Sequence, residues 1–284
     1  MANTSASEVT ITAADGYELG GIRFAPAGRA HARILVAGAT AVPQRFYRRF
    51  AQAAAARGYE VLTLDYRGVG ASAPPSLRGF RMDFTDWARL DLAAAIDALD
   101  VDTRPTYVVG HSYGGVCFGL VPEPGRVRGV YAFGAGAGWH GWMPPLERLR
   151  VLTMWNLLGP VLTTALGYLP WSRLMSGEDL PADVFWQWRR WCSKPHFLLD
   201  DDRVSDARTQ FARVTTPMVM ANALDDRWAP PRSRDAIMTG YVNSPWRGVS
   251  IDPTVSGATG HMGYFRQGAT ALWDDVFATF DGWR

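Results

Sequence analysis

One stretch of the chain combines residue types and spacing that could do covalent chemistry: Thr106-Tyr107-Val108-Val109-Gly110-His111-Ser112-Tyr113-Gly114-Gly115. An apolar, β-rich run leads into Gly-x-Ser-x-Gly, and the small run Val116-Cys117-Phe118-Gly119-Leu120 can start a helix. A strand, a sharp turn and a helix hold a serine at the tip of a strained backbone, and Gly110 and Gly114 supply the bare positions that such a turn needs. Ser112 is the candidate nucleophile. Its hydroxyl is weak at neutral pH and needs an adjacent base, and the base needs an acid to fix its tautomer and stabilise its charged form.

With that motif, the acid-rich loop Asp225-Asp226-Arg227-Trp228-Ala229-Pro230 and the loop Gly260-His261-Met262-Gly263-Tyr264-Phe265, the chain resembles the α/β-hydrolase superfamily over nearly its whole length. It is most similar to bacterial serine hydrolases of the predicted-hydrolase branch. The order Ser, Asp, His is the one that this fold uses. The resemblance implies an α/β-hydrolase fold, a triad and hydrolysis of an acyl bond; it names no substrate. Of the five histidines, His111 adjoins the serine and should point away from the reaction, His31 precedes a buried strand, and His140 and His196 fall in the inserted region. His261 alone follows the last strand, so it is the expected base. In similar sequences the catalytic carboxylate is followed by a variable residue, an apolar residue and a Pro-containing turn, which Asp226 matches best; Asp225 stays as the alternative and is otherwise expected to bond loop backbone.

The oxyanion hole needs two backbone N–H groups. Tyr113 should supply the first. By alignment the second comes from Ala39, with Thr40 as the alternative, because the chain reads Ala37-Gly38-Ala39-Thr40 where relatives often have His-Gly before the donor.

The elements that must position these residues follow from hydrophobic pattern. Residues 8–12 and 17–24 alternate around Asp15-Gly16 as an edge hairpin. The continuous apolar run at 34–37 reads as a strand buried on both faces, 59–64 as the next buried strand, and 106–109, 127–133, 216–223 and a last segment at 249–252 as further strands. Helices are expected over 44–57, from 83 to 99, from 231 to 239, and over 266–280 with Ala271, Leu272, Val276 and Phe280 inward. The turn Asp65-Tyr66-Arg67-Gly68-Val69-Gly70-Ala71-Ser72 resembles one common in the superfamily, where Asp65 and Arg67 pair or hold loop backbone. Strand and helix alternation predicts a mostly parallel, doubly wound sheet. It breaks at about Gly138. From 139 to 203 the chain holds seven of its twelve tryptophans, and Pro144-Pro145, Pro160, Pro170, Pro181 and Pro195 should cut it into several short helices with no strand. The expected organisation is therefore a core of 1–137 and 206–284 and a helical, Trp-rich cap of 138–205 inserted after the sixth strand.

Composition bounds the rest. The 284 residues carry a formal net charge of +2, which gives no electrostatic case for nucleic acid or an anionic membrane. The basic residues are Arg except for Lys194. Cys117 and Cys192 show neither metal spacing nor a disulfide framework, and Cys117 reads as a buried structural thiol. No leader pattern opens the chain and no apolar run approaches a membrane span, so a cytoplasmic protein is expected. No dinucleotide fingerprint, phosphate loop or His-based metal motif occurs; no cofactor and no metal are expected, and the oligomeric state is left open. The leading expectation is a carboxylesterase-like hydrolase acting on an apolar or aromatic small molecule. Acyl transfer, thioester cleavage and carbon–carbon bond hydrolysis use the same triad, and a non-catalytic ligand-binding member of the fold is the alternative from another class. Dehalogenase and epoxide-hydrolase chemistry is excluded, because it needs a carboxylate where Ser112 stands.

Overall fold

The computed structural model describes residues 4–99 and 102–284. The chain opens with β1 (Ser5–Thr12) and β2 (Glu18–Ala25), an antiparallel hairpin. β3 (Ala32–Ala37), β4 (Tyr59–Leu64), β5 (Thr106–His111) and β6 (Gly129–Phe133) follow. Far along the chain, after a small ribbon of β7 (Tyr168–Leu169) and β8 (Leu180–Pro181), come β9 (Met218–Ala223) and β10 (Trp246–Ile251). The main sheet has eight strands in the order β1-β2-β4-β3-β5-β6-β9-β10. β2 joins β4 antiparallel, and from β4 to β10 all neighbours run parallel. This is an α/β-hydrolase fold, as expected.

Every residue of β3, β5, β6 and β9 is buried, which is why these segments read as mostly apolar runs. The two-residue period sends Ile34, Val36, Val109 and Phe133 to one face, against Phe50, Phe277 and Phe280. Leu35, Ala37, Val108 and Ala132 face the other side, against Trp87, Leu92 and Val116. Each fully buried aliphatic side chain contributes roughly 1.5–3 kcal/mol. A one-residue slip would exchange both faces, so the core itself sets the register that aligns the strand ends carrying the site.

Several elements differ from expectation. The last helix is Thr270–Gly282 and buries Trp273, Val276, Phe277 and Phe280, a three-four spacing, whereas Ala271 is exposed and Leu272 only half-buried. The large aromatic rings, not the small residues beside them, took the inward stripe. After β4, Asp65 and Arg67 do not pair with one another, but Asp65 takes the other role expected of it and holds loop backbone. Asp65 accepts from the Gln44 and Ala71 amides at 2.6 and 2.9 Å. Arg67 pairs with Asp91 at 2.7 Å and Asp15 at 2.6 Å. Asp91, unmarked in the sequence, is fully buried, and burial pushes its carboxyl up to about 6 against the pull of Arg67.

Between β6 and β9 the chain is mainly helical, with the two-residue ribbon of β7 and β8 where no strand was expected. The expectation that Pro160 would divide this region is also corrected. Helical winding is continuous from Pro145–Thr153 through Met154–Leu158 to Gly159–Leu166. The middle turn is a π-helix, whose i→i+5 bonding displaces the bond that the Pro160 nitrogen would have to donate in an unbroken α-helix. The resulting helix, Pro145–Leu166, has 22 residues and a mean hydropathy of 1.2 over its most apolar window, enough by length and composition to cross a membrane, although the sequence suggested no such run. Its Leu146, Leu149, Leu157 and Val161 are exposed.

Candidate active site

Ser112 lies between the end of β5 and the short helix Tyr113–Val116, with φ +51° and ψ −117°. A non-glycine residue held there costs about 1–3 kcal/mol, which the surroundings must offset. The Ser112 amide donates to the Phe133 carbonyl on β6 at 2.9 Å, and its own carbonyl accepts from Gly115 and Val116 at 3.0 and 3.1 Å. A Cβ on Gly110 would meet the Gly115 Cα at 2.5 Å, and one on Gly114 would meet the Ala37 carbonyl oxygen at 2.1 Å. Those two glycines let the turn pack against β3.

The sheet brings the three separated candidates together. Ser112 Oγ is 3.0 Å from His261 Nε2, and His261 Nδ1 is 2.8 Å from Asp226 Oδ2. Asp226 Oδ1 accepts from the Trp228 and Ala229 amides, each at 2.9 Å, and Oδ2 also accepts from the Tyr264 hydroxyl at 2.9 Å. Burial would raise the Asp226 carboxyl, but the His261 side chain and these amides outweigh it and hold it below the ordinary carboxylate range. Asp225 points elsewhere. It accepts from the Thr259 and Gly260 amides at 2.9 and 3.0 Å, bracing the turn before His261.

His111 takes a part that its sequence position did not reveal. Its ring is fully buried, with Nε2 2.9 Å from the His261 carbonyl oxygen and Nδ1 3.0 Å from the Tyr47 hydroxyl. A carbonyl can only accept, so Nε2 carries the proton and Nδ1 accepts from Tyr47. Tyr47 oxygen in turn accepts the Ala39 amide at 2.7 Å. One chain of hydrogen bonds thus ties the turn after β3, the serine turn and the His261 loop together. Burial lowers His111 to about 3, so the ring is neutral at ordinary pH.

The same chain distinguishes the two candidates for the second oxyanion donor. The Ala39 amide is committed to Tyr47, whereas Thr40 borders the space around Ser112 and its amide has no protein acceptor among the described residues; nor has that of Tyr113.

Above Ser112 and His261 lies a cleft of about 380 Å³ walled by Trp171, Leu174, Met175, Trp188, Trp228 and Met262. A second lobe beside Ser112, bounded by Val116, Cys192 and Phe197, holds only about 30 Å³. Of the seven tryptophans between β6 and β9, only Trp171 and Trp188 reach this space; Trp228 comes from the acid loop, which sequence reading treated only as a carrier of carboxylates. Neither lobe is lined by Arg, Lys, Asp or Glu. Cys117 is buried and its thiol is pushed up by burial, as a structural residue should be. Among the described residues no three His, Cys, Asp or Glu side chains converge as metal ligands.

A model of the alpha/beta hydrolase family matches residues 34–271. The chain belongs to that family. Solved structures similar to it include a soluble variant of monoglyceride lipase from Saccharomyces cerevisiae with a substrate analogue, at 14% identity, TM-score 0.71, covering 100% of this chain and 97% of the other. The esterase domain of a Rhodothermus marinus protein is 18% identical over 96% and 97%, with TM-score 0.59. A hypothetical protein from Pseudomonas aeruginosa is 16% identical over 100% and 95%, with TM-score 0.66. No curated protein sequence matches. At these identities the structural likeness establishes the fold alone.

Proposed function

We propose that this family member is a serine hydrolase that cleaves a carboxylic ester of an apolar or aromatic small molecule. The observation that carries the reading is the unbroken line from Asp226 through His261 to Ser112, with bonds of 2.8 and 3.0 Å, at the floor of an uncharged aromatic cleft. In this reading His261 Nε2 takes the Ser112 proton as Oγ attacks the acyl carbon. The carbonyl oxygen, now anionic, is stabilised by the Tyr113 and Thr40 amides, and the proton passes to the leaving alcohol as the C–O bond breaks. Water, deprotonated by the same histidine, then attacks the acyl-enzyme and releases the acid and free Ser112. Asp226 keeps Nδ1 protonated and stabilises the imidazolium.

The unequal lobes support a substrate with one bulky and one compact group about the scissile bond. A space of about 30 Å³ admits little beyond a methyl or ethyl group, while about 380 Å³ falls in the roughly 300–1,000 Å³ range of small-molecule pockets. Labelling with a fluorophosphonate probe and turnover of p-nitrophenyl acetate through octanoate test the reading together. The expected outcome is labelling at Ser112, abolished in Ser112→Ala, with measurable ester turnover. Labelling that persists in the variant, or no turnover on any ester of the series, would overturn it.

A further inference from the structure

A cavity larger than the Ser112 cleft lies elsewhere in the molecule. About 520 Å³ opens within the helical region between β6 and β9, with Leu152, Trp155 and Trp186 on its apolar side and Arg189, Arg190 and Arg203 on its basic side. Cys192 borders both this space and the small lobe beside Ser112, so the two lie back to back. Their chemistry is opposite: one is uncharged, the other concentrates guanidinium groups.

Those cations are incompletely matched. Arg190 pairs with Asp201 at 2.6 Å. Arg189 meets only neutral oxygens, donating to the Trp155 carbonyl and, at 3.0 Å, to the Asn156 side-chain oxygen. The Arg203 side chain forms no ion pair among the described residues. The Arg189 and Arg203 guanidinium groups thus meet no carboxylate among the described residues, which leaves the wall with positive charge suited to an anionic acceptor.

We propose that this cavity is a second binding site, separate from the Ser112 cleft, for an amphiphilic oxyanion: a carboxylate or phosphate monoester on an apolar body. Guanidinium groups recognise both oxyanions through paired N–H donors. The apolar side receives the hydrocarbon or aromatic part. The volume fits a ligand of about the size that small-molecule pockets accept, and the position against Cys192 places it beside the acyl chemistry without sharing its cleft.

The test is calorimetric titration of the whole protein with octanoate, octyl phosphate, octanol and octyltrimethylammonium, which hold the tail constant and change the head. At least one of the two anions should bind at least tenfold more tightly than the alcohol or the cation, and the stronger of them identifies the head group. Arg203→Glu, a substitution at an exposed side chain, should weaken anion binding at least tenfold, and Arg189→Gln should weaken it several-fold. Fluorophosphonate labelling of Ser112 should be unchanged in Arg203→Glu. Octanol binding as tightly as both anions, anion affinity untouched by Arg203→Glu, or no detectable binding at millimolar anion would each overturn the proposal. Because the Ser112 cleft has no cationic Arg or Lys wall, anion selectivity that depends on Arg203 cannot arise there.

Discussion

The floor and the roof of the Ser112 cleft are built on different physical terms. On the floor, Ser112, His111, Asp225, Asp226 and His261 each have a hydrogen-bond partner at 2.8–3.0 Å, and the bonds run between strand ends whose register the core sets. The roof is a group of aromatic rings: Trp188 lies 5.5 Å from Trp171 and 6.1 Å from Trp228 between ring centroids. Directional bonds fix position to fractions of an ångström, whereas ring contacts contribute about 0.5–1.5 kcal/mol each beyond burial and tolerate some sliding. The floor should therefore control whether the reaction occurs, and the roof which molecule undergoes it.

The largest effect expected from the floor is at the acid. Asp226→Asn should keep the geometry but lose the preference for protonated Nδ1, lowering kcat by about 10⁴-fold. Asp225→Asn should leave kcat within about tenfold and cost on the order of 1–3 kcal/mol in urea unfolding, since one of two buried-end backbone donors loses a charged acceptor. A reversal of the two, read from steady-state kinetics and denaturation side by side, would move the acid role to Asp225.

This asymmetry between floor and roof also explains what could be read from the sequence. Ser112, Asp226 and His261 stand at strand ends, where apolar runs stop and short polar motifs begin, so pattern and order were enough to single them out and the structure brings all three together. The central strands were legible because burial on both faces leaves few polar positions. Tyr47 and Tyr264 were not legible as partners of the site, because a tyrosine inside a helix or a loop looks the same whether its hydroxyl meets water, His111 or Asp226. The Ala39 amide is such a case: only the position of the Tyr47 oxygen shows that it already has an acceptor. Trp171 and Trp188 could not be separated from the other tryptophans, because helical spacing says which side is apolar and not which apolar surface lies opposite. Pro160 misled because a π-turn has no composition of its own.

A smaller effect is expected when the roof is opened. Each methylene buried against Trp171 and Trp188 contributes about 0.8 kcal/mol, close to fourfold in kcat/KM, until the space is filled. From acetyl to hexanoyl esters the wild type should therefore gain up to about fifteenfold per two-carbon step. Trp188→Ala should flatten that series, lowering kcat/KM for hexanoyl ester by about tenfold or more while acetyl ester changes by less than about threefold. A uniform loss across the series would mean that Trp188 supports the floor through Trp228 instead of meeting the substrate.

Tyr47→Phe sharpens the division of labour on the floor itself. It strips the buried Ala39 amide of its acceptor and His111 of its donor, at an expected cost of about 1–3 kcal/mol in stability. If Thr40 and Tyr113 are the oxyanion donors, kcat should fall by less than about tenfold. A loss of 10²-fold or more in a variant that still unfolds cooperatively would show that the held Ala39 turn, and not only the Thr40 amide, is needed for the rate.

The smallest effect is a pH dependence of stability that belongs to His111. In the unfolded chain this histidine takes up a proton near pH 6.5, and in the folded protein burial delays that to about 3. Between those values the unfolded state binds more protons, so stability is fully present above pH 6.5 and is lost as pH falls toward 3. The slope reaches about 1.4 kcal/mol per pH unit, so this one ring should cost about 2 kcal/mol between pH 6.5 and 5. His111→Gln keeps a side-chain donor and acceptor but cannot take up a proton in this range. Urea unfolding at pH 7.5 and 5 should show wild type losing about 2 kcal/mol more than the variant across that interval. Equal losses would mean that the ring is protonated in the folded state, which would reverse the direction of its bond with Tyr47 and release the Ala39 amide from the chain that now holds it.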